Sequence, residues 1–172
     1  SLPKMTVDSS LLSDVDKALK TEWLVTNGLG GYASSTVLGI NTRKYHGLLV
    51  AAFNPPVDRR VLLTKLDEEI VVNGTTYPLG SNEFKWGIQP QGYHYLSNFS
   101  LNPRPTYTYE LEKKFRLQKT VLMPHGKNIS IVIYEASNTS KNGVPLSVTP
   151  LVNSRHFHTV TESNVPWKFS QK

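Results

Sequence analysis

The sequence predicts a mainly β protein, an antiparallel sandwich or barrel with one short N-terminal helix. Three observations predict it. Short apolar or alternating runs recur along most of the chain, separated by Asn-Gly, Gly and Pro turn signals. Only one stretch has a convincing helical period. No crossover helix lies between the strand candidates, so they pair antiparallel rather than in βαβ units. At 172 residues, 38% hydrophobic and 19% charged, the chain is about one globular domain.

The helix is expected over Ser9 to Lys20. Leu11, Leu12, Val15, Ala18 and Leu19 recur at three- and four-residue spacing and make one apolar stripe. Ser9 or Ser10 caps its start, Asp14 and Asp16 come early, and Lys17 and Lys20 sit at the end where the helix dipole favours cations. Strands then follow at Trp23 to Thr26, Ala33 to Ile40 and His46 to Phe53, the last a buried run stopped by Asn54-Pro55-Pro56. Arg60 to Lys65 and Glu68 to Val72 read as two further strands. Asn73-Gly74 turns the second of them into Thr75 to Pro78.

Gly80 to Pro105 reads as the least regular part, with Trp86, Tyr93, Tyr95 and Phe99 among Gly, Pro and Asn. Alternation resumes with Tyr107, Tyr109 and Leu111 on one face and Thr106, Thr108 and Glu110 on the other. It slips at Lys113-Lys114, as at a β-bulge, and continues through Phe115, Leu117, Val121 and Met123. Ile129, Ile131 and Ile133 mark another strand. A polar turn is expected at Asn138 to Gly143, then strands at Val144 to Val152 and Phe157 to Thr161. Trp167 and Phe169 close the chain without a turn or polar tail, which suggests an unfinished sheet and a partial domain.

Bulk properties exclude several function classes. Zero cysteines exclude disulfides, cysteine nucleophiles and thiolate metal sites. With no visible signal peptide, they favour the cytoplasm. No apolar run approaches the ~18 residues that span a bilayer, so no membrane partner is expected. The net charge of +6 invites a polyanion reading. The basic residues are scattered, however, and no block of five like charges occurs, so no nucleic acid is expected.

Candidate chemistry concentrates in Glu22 to Ala52. Gly28-x-Gly30-x-x-Ala33 formally fits a dinucleotide fingerprint, but no helix follows to take the pyrophosphate, so these glycines read as a tight turn. Arg43, Tyr45 and His46, with Lys44, form a polar lip before the strongest strand; it suits ligand hydroxyls, and the plainer alternative is a structural strand start. Arg155-His156-Phe157-His158 is a second cluster. His156 and His158 share a strand face, but His46, His94 and His125 are not at metal-site spacing, so no metal and no cofactor are expected. Glycoside hydrolysis needs two carboxylates ~5–10 Å apart. Asp67, Glu68 and Glu69 are split between faces, and Asp58, Glu83 and Glu110 are isolated, so no catalytic residue is assigned. Among the aromatics, Trp86, Tyr93 and Tyr95 are the candidates for sugar stacking, with core packing as the plainer alternative.

The stretch EWLVTNGLGGYASSTVLGINTRKYHGLLVAA resembles the amino-terminal domain of archaeal and bacterial glycogen debranching enzymes of the amylo-α-1,6-glucosidase type. PLVNSRHFH and MPHGKNISIVIYEASN are similar to later parts of the same domain, and the resemblance runs from about Leu11 to His158. It implies a β-sandwich of the galactose-mutarotase-like supersandwich type, standing before an (α/α)6 barrel that carries the catalytic carboxylates. It implies a non-catalytic role in glycogen breakdown, with that barrel, in the same polypeptide, and α-glucan as partners. It places Trp23, Asn27, Gly28, Tyr32, Arg43, Tyr45, His46, Arg155 and His158 toward the barrel or its substrate. Open sheet edges offer pairing with a second copy. The alternatives are a self-sufficient carbohydrate-binding module and a basic nucleic-acid-binding sandwich.

Overall fold

The computed structural model describes residues 5–7, 9–138 and 143–156. Along the chain come β1 (Met5–Val7), helices α1 (Ser9–Ser13) and α2 (Val15–Lys20), β2 (Glu22–Thr26), β3 (Tyr32–Thr36), β4 (Gly47–Asn54), β5 (Val57–Val72) and β6 (Thr75–Pro78). Then follow β7 (Ser81–Phe84), β8 (Gly87–Gln91), a 3-10 turn (Gly92–Tyr95), β9 (Leu96–Leu101), β10 (Pro105–Leu111), β11 (Phe115–Leu122), β12 (Ile131–Asn138) and β13 (Leu146–His156). Among the described residues, one sheet has the order β1-β9-β10-β11-β12 and the other β13-β5-β4-β3-β2, with β6 paired to the far half of β5. All these pairings are antiparallel.

The two sheets share one core, which makes the fold a sandwich. Phe99, Tyr107, Tyr109, Leu111, Leu117 and Val121 come from the first sheet, and Trp23, Ala33, Leu48, Ile70 and Val72 from the second. The alternation of Tyr107, Tyr109 and Leu111 is the inward face expected of β10. One polar thread stitches the sheets through the apolar interior. The Trp23 indole N–H donates to the Tyr107 hydroxyl at 2.5 Å, and that hydroxyl donates to the Thr36 carbonyl at 2.6 Å. Both buried polar tips are thereby satisfied.

Several local expectations are corrected. The single helix over Ser9 to Lys20 is two short helices. Asp14 leaves helical geometry (φ −92°, ψ 88°) and its carboxylate accepts from the Lys17 amide at 3.3 Å, so it caps α2 instead of continuing α1. The stripe still faces inward: Leu12 and Ala18 are buried. Arg60 to Lys65 and Glu68 to Val72 are parts of one 16-residue strand, β5. The polar residues that suggested a break, Lys65 and Glu68, are buried within it and paired with opposite charge. Gly80 to Pro105 is ordered as the β7–β8 hairpin, the 3-10 turn and β9. At Lys113-Lys114 there is no bulge. Glu112 (φ 51°) and Lys113 (φ 55°) reverse the chain so that Leu111 pairs with Phe115 in a hairpin. Left-handed non-glycine residues carry little sequence signal.

The strand expected over Ala33 to Ile40 is shorter, because β3 ends at Thr36, and β12 starts at Ile131, after Ile129. Asn73 (φ 50°) and Gly74 (φ 76°) make the two-residue turn between β5 and β6. The polar turn at Asn138 to Gly143 lies largely outside the described residues, and the strand at Phe157 to Thr161 wholly so.

Candidate functional site

Glu22 to Ala52 folds as the β2-β3-β4 meander, and its candidate residues fall at the two ends of that meander. At one end, β3 stops where the Thr36 hydroxyl recaptures Ile40, accepting from its amide at 3.1 Å and donating to its carbonyl at 2.8 Å. Asn41 then ties this connection to neighbouring strands, accepting from Ser35 Oγ at 2.8 Å and donating to the Thr64 carbonyl at 3.0 Å. The next turn closes on His46, which is 3% exposed. Its Nδ1 accepts from the amides of Thr42 (3.0 Å) and Arg43 (3.2 Å), which assigns the proton to Nε2. Nε2 faces Glu22 Oε1 at 2.8 Å, and Arg43 Nε reaches the same oxygen at 2.7 Å. Burial pushes His46 below the ordinary imidazole range, against the opposing pull of Glu22. Arg43 itself keeps 63% of its side chain exposed, and Lys44 lies 5.0 Å over the Tyr45 ring.

At the other end, Asn27 is fully buried and organises the glycine turn. Its side-chain oxygen accepts from the amides of Leu29 (2.9 Å) and Gly31 (3.1 Å). Its amide group donates to the Lys127 carbonyl (3.1 Å) and to Asn128 Oδ1 (3.0 Å). Asn128 in turn brackets Ala52, accepting from its amide at 3.2 Å and donating to its carbonyl at 2.8 Å. The turn is packed against its surroundings. A Cβ on Gly30 (φ 92°) would lie 2.7 Å from the Pro56 carbonyl oxygen, and one on Gly28 (φ 79°) would lie 2.3 Å from the His125 ring. This glycine turn is therefore a junction between loops of both sheets.

The aromatic candidates separate by exposure. Trp23 is a core residue at 3% exposed. Tyr32 is buried over Val50 and Val61, and its hydroxyl donates to the Tyr45 carbonyl at 2.7 Å. Tyr93 and Tyr95 lie half-buried against the core; Tyr95 meets Tyr77 edge-on at 5.5 Å. Tyr93 and His94 also line a cleft of about 430 Å³ with Ser9, Leu12 and Ser97. Trp86 is the opposite case: 71% exposed and stacked on Phe84. Arg155 belongs to β13, opposite Val61 in the ladder. His158 lies outside the described residues.

Of the neighbouring carboxylates on β5, Glu68 is buried and Asp67 is half-buried. Glu68 meets Lys119 Nζ at 2.5 Å and accepts from the Tyr134 hydroxyl at 2.6 Å. Burial and this carboxylate hold the Tyr134 phenol well above its usual range. Asp67 pairs with Lys65 at 2.7 Å, in a direction outside hydrogen-bond geometry, so its buried Oδ1 accepts no hydrogen bond. The cavity beside these groups has about 20 Å³, room for a water but not for a sugar ring. The arrangement is a buried charge network, and it offers a glycosidic bond no access.

Several contributors have no local signature. Glu22 meets Arg43 and His46 only because β2 and β3 pair, and Asn128 meets Asn27 across about a hundred residues. Phe84 had one readable signal, its place beside Lys85-Trp86 in a polar stretch. Among the described residues, no three metal-ligating side chains converge. No curated protein and no solved structure gives a significant match to the chain. The family described as glycogen debranching enzyme N terminal matches residues 21–172.

Proposed function

The chain belongs to the glycogen debranching enzyme N-terminal family, and on that premise we propose a non-catalytic domain that packs on a helical catalytic domain and helps to shape its α-glucan site. The observation that carries this reading is an uncovered apolar surface on two edge strands. Ile131 and Ile133 of β12, with Ile129 just before it, are 40 to 47% exposed. Leu146, Val148 and Leu151 of β13 are 37 to 39% exposed. β12 and β13 end their sheets among the described residues. An edge strand facing water normally carries charge, so large aliphatics in this position fit a covered surface.

The burial of Glu68 and its pairing with Lys119 support the same reading from the chemical side. The basic rim at Arg43 and Lys44, built beside the Glu22–His46 pair, is the part assigned here to the glucan entrance. Cytoplasmic glycogen breakdown is the process into which this role fits.

The test is reconstitution with a separately expressed helical catalytic domain from a glycogen debranching enzyme. The two should co-elute in gel filtration. Ile131→Lys with Ile133→Lys should abolish co-elution while leaving the melting temperature within a few degrees, since surface substitutions cost about 0.5 kcal/mol or less. Separate elution of the unaltered pair, or unchanged co-elution of the variant, refutes the proposal.

A further inference from the structure

The β7–β8 hairpin stands apart from both large sheets as its own two-stranded ribbon. Its base is held firmly. Lys65 Nζ donates to the Ser81 carbonyl at 2.8 Å and to Asn82 Oδ1 at 3.0 Å, and the Tyr93 amide donates to Ser81 Oγ at 3.0 Å. Its tip turns through Lys85-Trp86 and presents two exposed aromatic rings. Phe84 is 48% exposed and Trp86 is 71% exposed. The rings are parallel within 3°, with centroids 5.0 Å apart. Parallel rings in contact are about 3.5 Å apart in height, so this separation means an offset stack. The pair forms a stepped flat surface, with Trp86 the more exposed of the two rings.

We propose that this stepped aromatic surface is an α-glucan contact, in which the outer indole face of Trp86 stacks on a glucose ring and Phe84 holds the indole in place. The inference rests on the reading of the domain as part of a glucan-processing enzyme and names a site within it. A pyranose ring has an apolar C–H face and a rim of hydroxyls, so its partner needs a flat aromatic face with hydrogen-bonding groups at the side. The hairpin supplies both. In the ladder, Phe84 is opposite Gly87, and Asn82 is opposite Gln89, so these positions share one face. Gly87 carries no side chain, so none stands opposite Phe84 in the ladder. Gln89 is exposed, and its position, two residues from Gly87 on that face, carries an amide that is both donor and acceptor. A protein partner would fit a broader apolar patch better. Here the residues flanking the rings are Glu83, Lys85 and Gln89, and the aliphatic surface of the domain lies on β12 and β13.

The experiment is a titration of the 172-residue chain with maltoheptaose, read by calorimetry and by tryptophan emission. The chain has three tryptophans, and comparison with Trp86→Ala separates the shift of the Trp86 indole from the emission of Trp23 and Trp167. The expected result is saturable binding with a blue shift of emission. Trp86→Ala should lose the shift and weaken binding at least tenfold, while Trp86→Tyr should retain most of it. Leu24→Ala, at another exposed apolar residue, should bind as the unaltered chain does. Absence of heat and of any emission change overturns the proposal. Unaltered affinity in Trp86→Ala also overturns it, and places the glucan elsewhere. An emission shift produced only by the helical catalytic domain, without sugar, overturns it in favour of a protein contact. The gel-filtration test of domain packing uses no sugar, so the two readings fail separately.

Discussion

His46 shows how one side chain can look reactive and be structural. Both ring nitrogens are engaged, Nδ1 by two backbone amides and Nε2 by Glu22, so neither is left to act as a base. Protonating Nδ1 would remove an acceptor from two N–H groups inside the turn. Its folded-state pKa lies below the ordinary value near 6.5, chiefly because burial disfavours the charged ring. As pH falls, the unfolded chain therefore takes up this proton first. His46's contribution to stability is complete above about pH 6.5 and is lost progressively as pH falls toward the depressed folded value. Urea midpoints measured from pH 7.5 to 5 should fall across this window. His46→Gln should be less stable at pH 7.5 and show a flatter profile. An equal pH slope in the two proteins would show that His46 is not the titrating group. The residue types of this cluster were legible in the sequence as a polar lip. Glu22, which orders it, was not, because its role arises from strand pairing.

Turns are the elements that the sequence marks most clearly and explains least. Asn-Gly between β5 and β6 announced its own geometry, because both residues tolerate positive φ. The glycine turn of β2–β3 was equally visible, but its purpose lies in what it touches. Gly30 and Gly126 both have positive φ (92° and 73°), yet a Cβ at Gly30 meets the Pro56 carbonyl at 2.7 Å and one at Gly126 meets nothing within 4 Å. Gly126→Ala should therefore cost about 1 kcal/mol from backbone conformation alone. Gly30→Ala should cost roughly 2–4 kcal/mol, because backbone must also move. Chemical denaturation of the two variants measures the difference, and equal losses would show that Pro56 yields freely. The stretch from Gly80 to Pro105 was opaque for a related reason. β7 and β8 are short and mostly exposed, so the burial that imposes a period-2 pattern is largely missing there.

At the scale of the molecule, the two sheets are joined by apolar packing, by the Trp23–Tyr107–Thr36 hydrogen bonds and by a buried charge network, Lys119–Glu68–Tyr134. Lys119 is on β11 and Glu68 on β5, so the ion pair bridges the sandwich. Lys119→Met should cost about 3–5 kcal/mol, since it leaves a buried carboxylate without its cation. Adding Glu68→Gln should recover part of that loss, because the amide is neutral and its oxygen still accepts from Tyr134. Urea unfolding of the single and double variants measures the coupling; strict additivity would mean that the pair is independent. By itself, the sequence determined the mainly β antiparallel class, the inward face of β10, the β5–β6 turn and the family. Each is written in local periodicity, turn chemistry or a contiguous motif, which act within a few residues. The tertiary structure alone decided that β5 is one strand, that Glu22 completes the His46 cluster and that Asn27 clasps a distant loop. It also placed the charges of Lys65 and Glu68 inside and left Trp86 outside. Those outcomes depend on which residues the two sheets bring together, and pairing across the chain has no local period to read.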